Sequence, residues 1–191
     1  MTRPKTATAR VVPERQVQGI STFVGIDPGR HGAIAWIDPD GTANALMAPT
    51  HVYPNGKWDF DREEMRDILS MLEDSFVAIE KVNAAPMCGR RQGTGSMFNF
   101  GRGMGIWLGM LAAMNIPFVE VDPRKWKKAI LGGTPKDKAA AIDYAARFFP
   151  GVDLRATPRS RKASDGKSDA LCLAEYARQT WKTRQLLEQR S

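Results

Sequence analysis

The sequence predicts an α/β fold, and three observations carry that prediction. Three short apolar runs near the N-terminal end are separated by strong turn signals. Further on, apolar runs of strand length alternate with stretches of helical period. Finally, no segment repeats, and 191 residues at 42% hydrophobic can bury one good core but not two ordinary domains, so the elements belong together.

Residues 1–20 hold Arg3, Lys5, Arg10 and Arg15 against the single acid Glu14, with Pro4 and Pro13 and little periodicity, and are expected to be a flexible basic tail. From Ser21 the pattern changes. Phe23-Val24-Gly25-Ile26 is an apolar run that stops at Asp27-Pro28-Gly29, and residues 33–37 form a second. Asp38-Pro39-Asp40-Gly41 marks a turn before a third strand over 43–47, so the three make a meander. A loop containing Pro and Asn follows. Residues 61–73 place Met65, Ile68, Leu69 and Leu72 at helical spacing, and Phe76-Val77-Ala78-Ile79 reads as a buried strand ending at Glu80.

Residues 83–96, with Pro86, three glycines and Arg90-Arg91, have the composition of a loop. Residues 96–115 predict a long helix despite Gly101, Gly103, Gly105 and Gly109, each costing about 1 kcal/mol relative to Ala, and glycines kept at that cost imply close packing. An apolar strand over 116–121 leads to a short helix with Asp122 as N-cap, Pro123 at its first position and Gly132-Gly133 at its end. Another helix starts at Thr134-Pro135 and runs to about residue 149, with Ala141, Ala145 and Phe148 on one face. A basic loop, 155–167, opens the last helix, over about 165–180 with a polar extension. The expected organisation is a tail over 1–20, one folded domain over 21–182 and a polar extension over 183–191.

Lys and Arg number 28 against 21 Asp and Glu, a formal net charge of +7. Such a field attracts polyanions over about a Debye length, ~10 Å at moderate salt, and nucleic acid is the natural partner. Cys88 lies in a Gly/Arg loop and Cys172 in an apolar helical run, spacings that suggest neither a disulfide framework nor a zinc site. No apolar stretch approaches the ~20 residues of a membrane span, and the N-terminus lacks the apolar core of a signal peptide, so a cytoplasmic location is expected.

Two acids end buried strands: Asp27 after Phe-Val-Gly-Ile, and Glu80 after Phe-Val-Ala-Ile. Ionised carboxylates there are costly to desolvate unless paired, hydrogen-bonded or bound to a cation. Asp165 and Asp169, four residues apart at the start of the last helix, share one face at roughly 5–6 Å, where like charges repel and a divalent cation would relieve them. Magnesium prefers hard oxygen ligands, and two such ions ~3.5–4 Å apart can activate a water on one side of a phosphate and stabilise the leaving oxygen on the other. Taken singly, Asp165 also suits an N-cap, Asp27-Pro28-Gly29 a turn, and Glu80 a pair with an Arg or with Lys81. Together, on a basic chain, they favour the metal reading.

The order of an Asp-bearing first strand of a meander, a later strand ending in Glu and a C-terminal helix opening with paired acids is similar to the RNase H-like fold, a mixed five-stranded sheet flanked by helices. Within it the chain resembles the RuvC-type Holliday junction resolvases over about residues 22–180. The matching stretches are Gly25-Ile26-Asp27-Pro28-Gly29, Ala78-Ile79-Glu80-Lys81-Val82, Phe98-Asn99-Phe100-Gly101-Arg102, Val121-Asp122-Pro123 with Trp126-Lys127-Lys128, Lys136-Asp137-Lys138, and Asp165-Gly166-Lys167-Ser168-Asp169-Ala170-Leu171.

This resemblance implies a homodimeric endonuclease that resolves four-way DNA junctions by paired symmetric nicks, using two magnesium ions per site, or manganese. Asp27 would bridge both ions, Glu80 would ligate one, and Asp165 and Asp169 would complete the set. Lys138, and also Lys127, match basic residues near the scissile phosphate. Arg90, Arg91, Arg124, Lys127, Lys128 and Lys136 fall in basic clusters that bracket the acids and would hold phosphates, as would the loop over 155–167. Part of the glycine-rich helix, apolar nearly all round with Ile106, Trp107, Leu108, Met110 and Leu111, would form the dimer contact.

There are two departures. Asn83 stands where bacterial members carry a junction-opening aromatic, leaving that task to Met87, Phe98 or no equivalent. The last acids are spaced by four with an intervening Gly, closer to phage-type and organellar members than to the bacterial spacing of three. Alternatives are a non-catalytic branched-DNA-binding module, a broader flap or branched-DNA nuclease, and the two-domain actin and sugar-kinase superfamily, against which the length argues.

Overall fold

The computed structural model describes residues 19–72, 74–81, 94–132 and 138–189. Most of the basic tail, and Asn83, Met87, Cys88, Arg90, Arg91 and Lys136, lie outside the described residues. No helix among the described residues is long and apolar enough to cross a membrane.

The chain opens with an antiparallel meander of β1 (Thr22–Asp27), β2 (Ala33–Ile37) and β3 (Ala43–Met47). The turn between β2 and β3 closes with the Asp38 N–H donating to the Thr42 carbonyl at 2.8 Å. Gly41 takes φ +88° there, a conformation that side-chain-bearing residues resist. A small hairpin follows, β4 (Thr50–Val52) and β5 (Trp58–Phe60), where sequence reading expected a loop. Three-residue strands are too short to show a period, and Pro54-Asn55-Gly56 between them reads as loop.

Helix α1 (Arg62–Ser70) is capped by Asp61, whose side chain accepts the Glu64 N–H, and it buries Met65, Ile68 and Leu69. Each such side chain contributes up to about 1.5–3 kcal/mol on burial. Strand β6 (Ser75–Glu80) pairs parallel with β1, and after α2 (Thr94–Ala113) strand β7 (Phe118–Val121) pairs parallel with β6. The sheet is mixed and five-stranded, in the order β3-β2-β1-β6-β7. The last strand starts at Phe118 rather than 116 because the Ile116 N–H closes α2 on the Leu111 carbonyl and Pro117 has no N–H to give.

Helices α3 (Pro123–Ile130), α4 (Lys138–Phe148) and α5 (Asp165–Glu188) complete the fold. One sheet face, with Val24, Ile26, Ile34, Val77 and Ile79, meets Met65 and Leu69 of α1 and Trp107 and Leu111 of α2. The other, with Phe23, Ala33, Ala35, Phe76 and Ala78, meets α3, α4 and α5. Cover on both faces is why the strands read as unbroken apolar runs. The arrangement is the α/β, RNase H-like one expected, a mixed sheet flanked by helices.

Three expectations are corrected. Phe148 does not share the buried seam of Ala141 and Ala145: it is 54% exposed, stacked on Tyr144, and Phe149 is buried instead. The seam follows the i+4 row 141, 145, 149. Close packing at the α2 glycines holds for Gly103, where a side chain would meet the Pro28 carbonyl and the Phe60 ring, but Gly101, Gly105 and Gly109 have nothing within 4 Å. Finally, α5 continues through the polar extension to Glu188.

Candidate metal centre

Asp27 and Glu80 end neighbouring parallel strands, and the β1–β6 register, with Ile26 opposite Ile79, puts them side by side at the C-terminal edge of the sheet. In α/β sheets that edge is where ligands bind. The third contributor arrives by close backbone packing. A side chain at Gly25 would collide with the Ala170 carbonyl and Ala174 N of α5, and one at Gly166 with the His31 carbonyl. With glycine at both positions, α5 lies directly on β1 and on the turn after Asp27. Asp165, Asp169 and Asp27 therefore line one cleft of about 480 Å³.

The helix is started by Ser164, whose Oγ accepts the Lys167 N–H at 3.4 Å, so Asp165 is not the cap that its position also suited. Asp27 does make the turn that its sequence suggested, with Oδ1 accepting the Gly29 N–H at 3.1 Å, while still facing the cleft. Glu80 takes a hydrogen bond that sequence reading missed: Trp126 Nε1 donates to Oε1 at 3.1 Å. Asp122 follows β7 and caps α3 by accepting the Arg124 N–H at 2.8 Å, which aims the buried Trp126 at Glu80. Trp126 and Ile130 share a face of an amphipathic helix, and that signal spells core, not a polar contact.

Burial pushes the Glu80 carboxyl up to about 7, with the charge of Asp27 adding to it; the Trp126 hydrogen bond opposes, Asp169 raises it further and Lys127 lowers it. The influence of Asp27 and Asp169 joins Glu80 electrically to the other acids. As the side chains stand, no group of three or more His, Cys, Asp or Glu among the described residues is ready to hold a metal ion. The donor set nevertheless fits a divalent cation in chemistry: hard oxygens from β1, β6 and α5, one of them disfavoured in its charged form by burial and then by its negative neighbours.

Of the basic residues, Lys127 is half-buried, its Nζ 5.1 Å from the Trp126 ring, beside Glu80. Arg124 and Lys128 are exposed on α3, and Lys138 is the first residue of α4, its side chain outside the description. Lys167, expected at the end of the basic loop, lies instead in the first turn of α5, buried, and donates from Nζ to the Asp153 carbonyl at 2.9 Å, which ties the loop down, while Arg155, Arg159, Arg161 and Lys162 of the loop are exposed. The cleft is also lined by Arg30, His31, Trp58, Asn99 and Phe100, which sequence reading did not single out as site residues.

No protein-family model matches the chain, and no curated protein does. Solved structures do. RuvC of T. thermophilus in complex with a Holliday junction substrate aligns with a TM-score of 0.52 at 14% identity, over 86% of this chain and 96% of that one. The Thermus thermophilus RuvC structure aligns with a TM-score of 0.51 at 18% identity, over 83% and 96%. At such identities the likeness is one of fold.

Proposed function

We propose that the chain is a metal-dependent endonuclease that resolves four-way DNA junctions by paired nicks. The observation that carries this reading is the convergence of Asp27, Asp165 and Asp169 on one cleft beside Glu80, from three elements of a basic chain. Asp27, Glu80, Asp165 and Asp169 would hold the divalent cations, two magnesium ions or manganese. Bound there, the ions would supply an activated water and charge stabilisation at the leaving oxygen.

The residues of the chain have their own tasks. Trp126 fixes the orientation of Glu80. Lys127 sets a positive charge next to it, and with Lys138 forms the basic side of the reacting phosphate. Arg124, Lys128 and the exposed Arg159, Arg161 and Lys162 of the loop before α5 hold backbone phosphates further out, together with Arg90, Arg91 and Lys136. Recognition is then by junction shape, with affinity that falls steeply with salt. Phe98, 69% exposed on α2, is the described aromatic suited to opening the junction in place of an aromatic at position 83.

The solvent-facing glycines Gly101, Gly105 and Gly109, at i+4 spacing, support a homodimer contact along α2, since they let a second helix approach closely. The four-residue spacing of Asp165 and Asp169 supports a place among phage-type members, acting in the cytoplasm of a bacterial cell. The test is incubation with a synthetic four-way junction and a matching linear duplex, with and without magnesium. Paired nicks in the junction alone, dependent on the ion and lost in Asp27→Asn while binding persists, are expected. Binding without cleavage in magnesium and in manganese would instead identify a non-catalytic branched-DNA module.

A further inference from the structure

We propose that Arg30, laid on the indole of Trp58, is a phosphate-binding residue of the cleft, and that Trp58 is the residue that positions it. The inference rests on the nuclease reading and adds a DNA contact built from residues which that reading does not use. The guanidinium carbon of Arg30 lies 4.5 Å from the Trp58 ring centroid, and both residues line the cleft that holds Asp27, Asp165 and Asp169.

Arg30 is exposed in the β1–β2 turn, three residues after Asp27, and no carboxylate among the described residues forms an ion pair with it. An arginine this near to acids would ordinarily be drawn onto one of them. Here the ring takes it instead. A cation held over a ring face is attracted by the π-system and spends none of its N–H donors on an acceptor there. Such a fork matches two oxygens of a phosphate. A phosphodiester entering a cleft lined by three carboxylates is repelled by them, and a held cation lining the same cleft offsets part of that repulsion.

The platform is held firmly for so short a strand. The ring of Trp58 meets that of Phe60 edge-on, with centroids 5.3 Å apart, and Phe60 is buried against Gly103 of α2. Between them Asp59 pairs with Arg102 of α2 and, at 3.0 Å, with Arg62 of α1. Strand β5 is thereby tied to both helices on its side of the sheet, and Trp58 is half-buried against the core rather than loose in a loop.

The test uses the full chain and a fluorescent four-way junction in magnesium-free buffer, with affinity measured across a range of salt. Arg30→Ala is expected to weaken binding roughly tenfold or more, the loss for a hydrogen bond to a charged group. It should also flatten the slope of log affinity against log salt by about 0.9, one phosphate's worth. Trp58→Phe should bind like the parent. Trp58→Ala should reproduce the Arg30→Ala loss, and the double variant should be no worse than either single one. Arg30→Lys should recover the salt slope but not the affinity, because a point charge lacks the stacked fork.

Under magnesium, Arg30→Ala should raise KM more than it lowers kcat. Trp58→Ala also removes core packing and can lose stability, but exposed Arg30 can be truncated without that cost, so its arm stands alone. Parental affinity and slope in Arg30→Ala, or losses that add in the double variant, would overturn the inference and leave the nuclease reading intact. A parent chain that neither binds nor cuts branched DNA would overturn both.

Discussion

Asp153 and Glu80 meet opposite surroundings. Asp153, in the exposed loop before α5, receives Arg155 Nε at 2.9 Å and Nη2 at 2.8 Å on its two oxygens, and that hydrogen-bonded cation holds its carboxyl well below the usual range. Glu80, at the sheet edge, is half-buried, and burial together with the charge of Asp27 pushes it up to about 7. The loop acid is neutralised by its own chain and serves local structure. The edge acid is kept where its charged form is disfavoured, so a cation from outside gains more there than at the surface. Upward perturbation at the C-terminal edge of parallel strands sets Glu80 apart from the loop acid.

The contrast can be broken hardest at Asp27. Asp27→Asn and Asp169→Asn should each lower metal-dependent junction cleavage by roughly a thousandfold or more, since a bound ion supplies several kcal/mol to the transition state and each 1.36 kcal/mol is tenfold in rate. Single-turnover cleavage of a labelled junction measures it. Trp126→Phe keeps the packing of α3 but removes the N–H that Glu80 accepts, and should lower metal affinity about 10–100-fold, the usual effect of losing a group that orients a ligand. Calorimetric titration with manganese would show it.

Stability of the metal-free protein sharpens the same contrast. The folded-state pKa of Glu80 is raised from an ordinary 4.5 to about 7, so the folded state binds the extra proton between those values. This group's contribution is therefore fully present below about pH 4.5 and is lost as pH rises towards and through 7. Thermal unfolding should show a midpoint falling across that window, a smaller fall in Glu80→Gln, and a recovery at pH 8 on adding magnesium. Arg155→Ala, by contrast, breaks an exposed pair and should leave the unfolding midpoint and manganese affinity unmoved.

The proposed ligands stood out in the sequence as candidates because they interrupt strong local patterns. Asp27 and Glu80 each end a four-residue apolar run, and Asp165 and Asp169, at i, i+4 spacing, stand just ahead of the apolar run Ala170-Leu171-Cys172-Leu173-Ala174. What stayed hidden depends on neighbours far along the chain. Trp126 at its helical spacing is indistinguishable from core until β7 and the Asp122 cap aim it at Glu80, 46 residues away. Trp58 and Arg30 meet only because a hairpin too short to show a period is pinned to α2 through Asp59 and Arg102. Phe148 was misread, and within the chain only Gly103 of the α2 glycines 101, 103, 105 and 109 packs closely, for a related reason: composition and spacing show that a face is special or apolar, but not what covers it.

The most direct measurement is a calorimetric titration of manganese into the full chain at pH 8, beside Asp27→Asn and Glu80→Gln. Saturable binding by the parent, lost or much weakened in both variants with their folds intact, is the expected result. No saturable binding by the parent, or equal binding by all three, would contradict the assignment of the sheet-edge carboxylates as a metal centre.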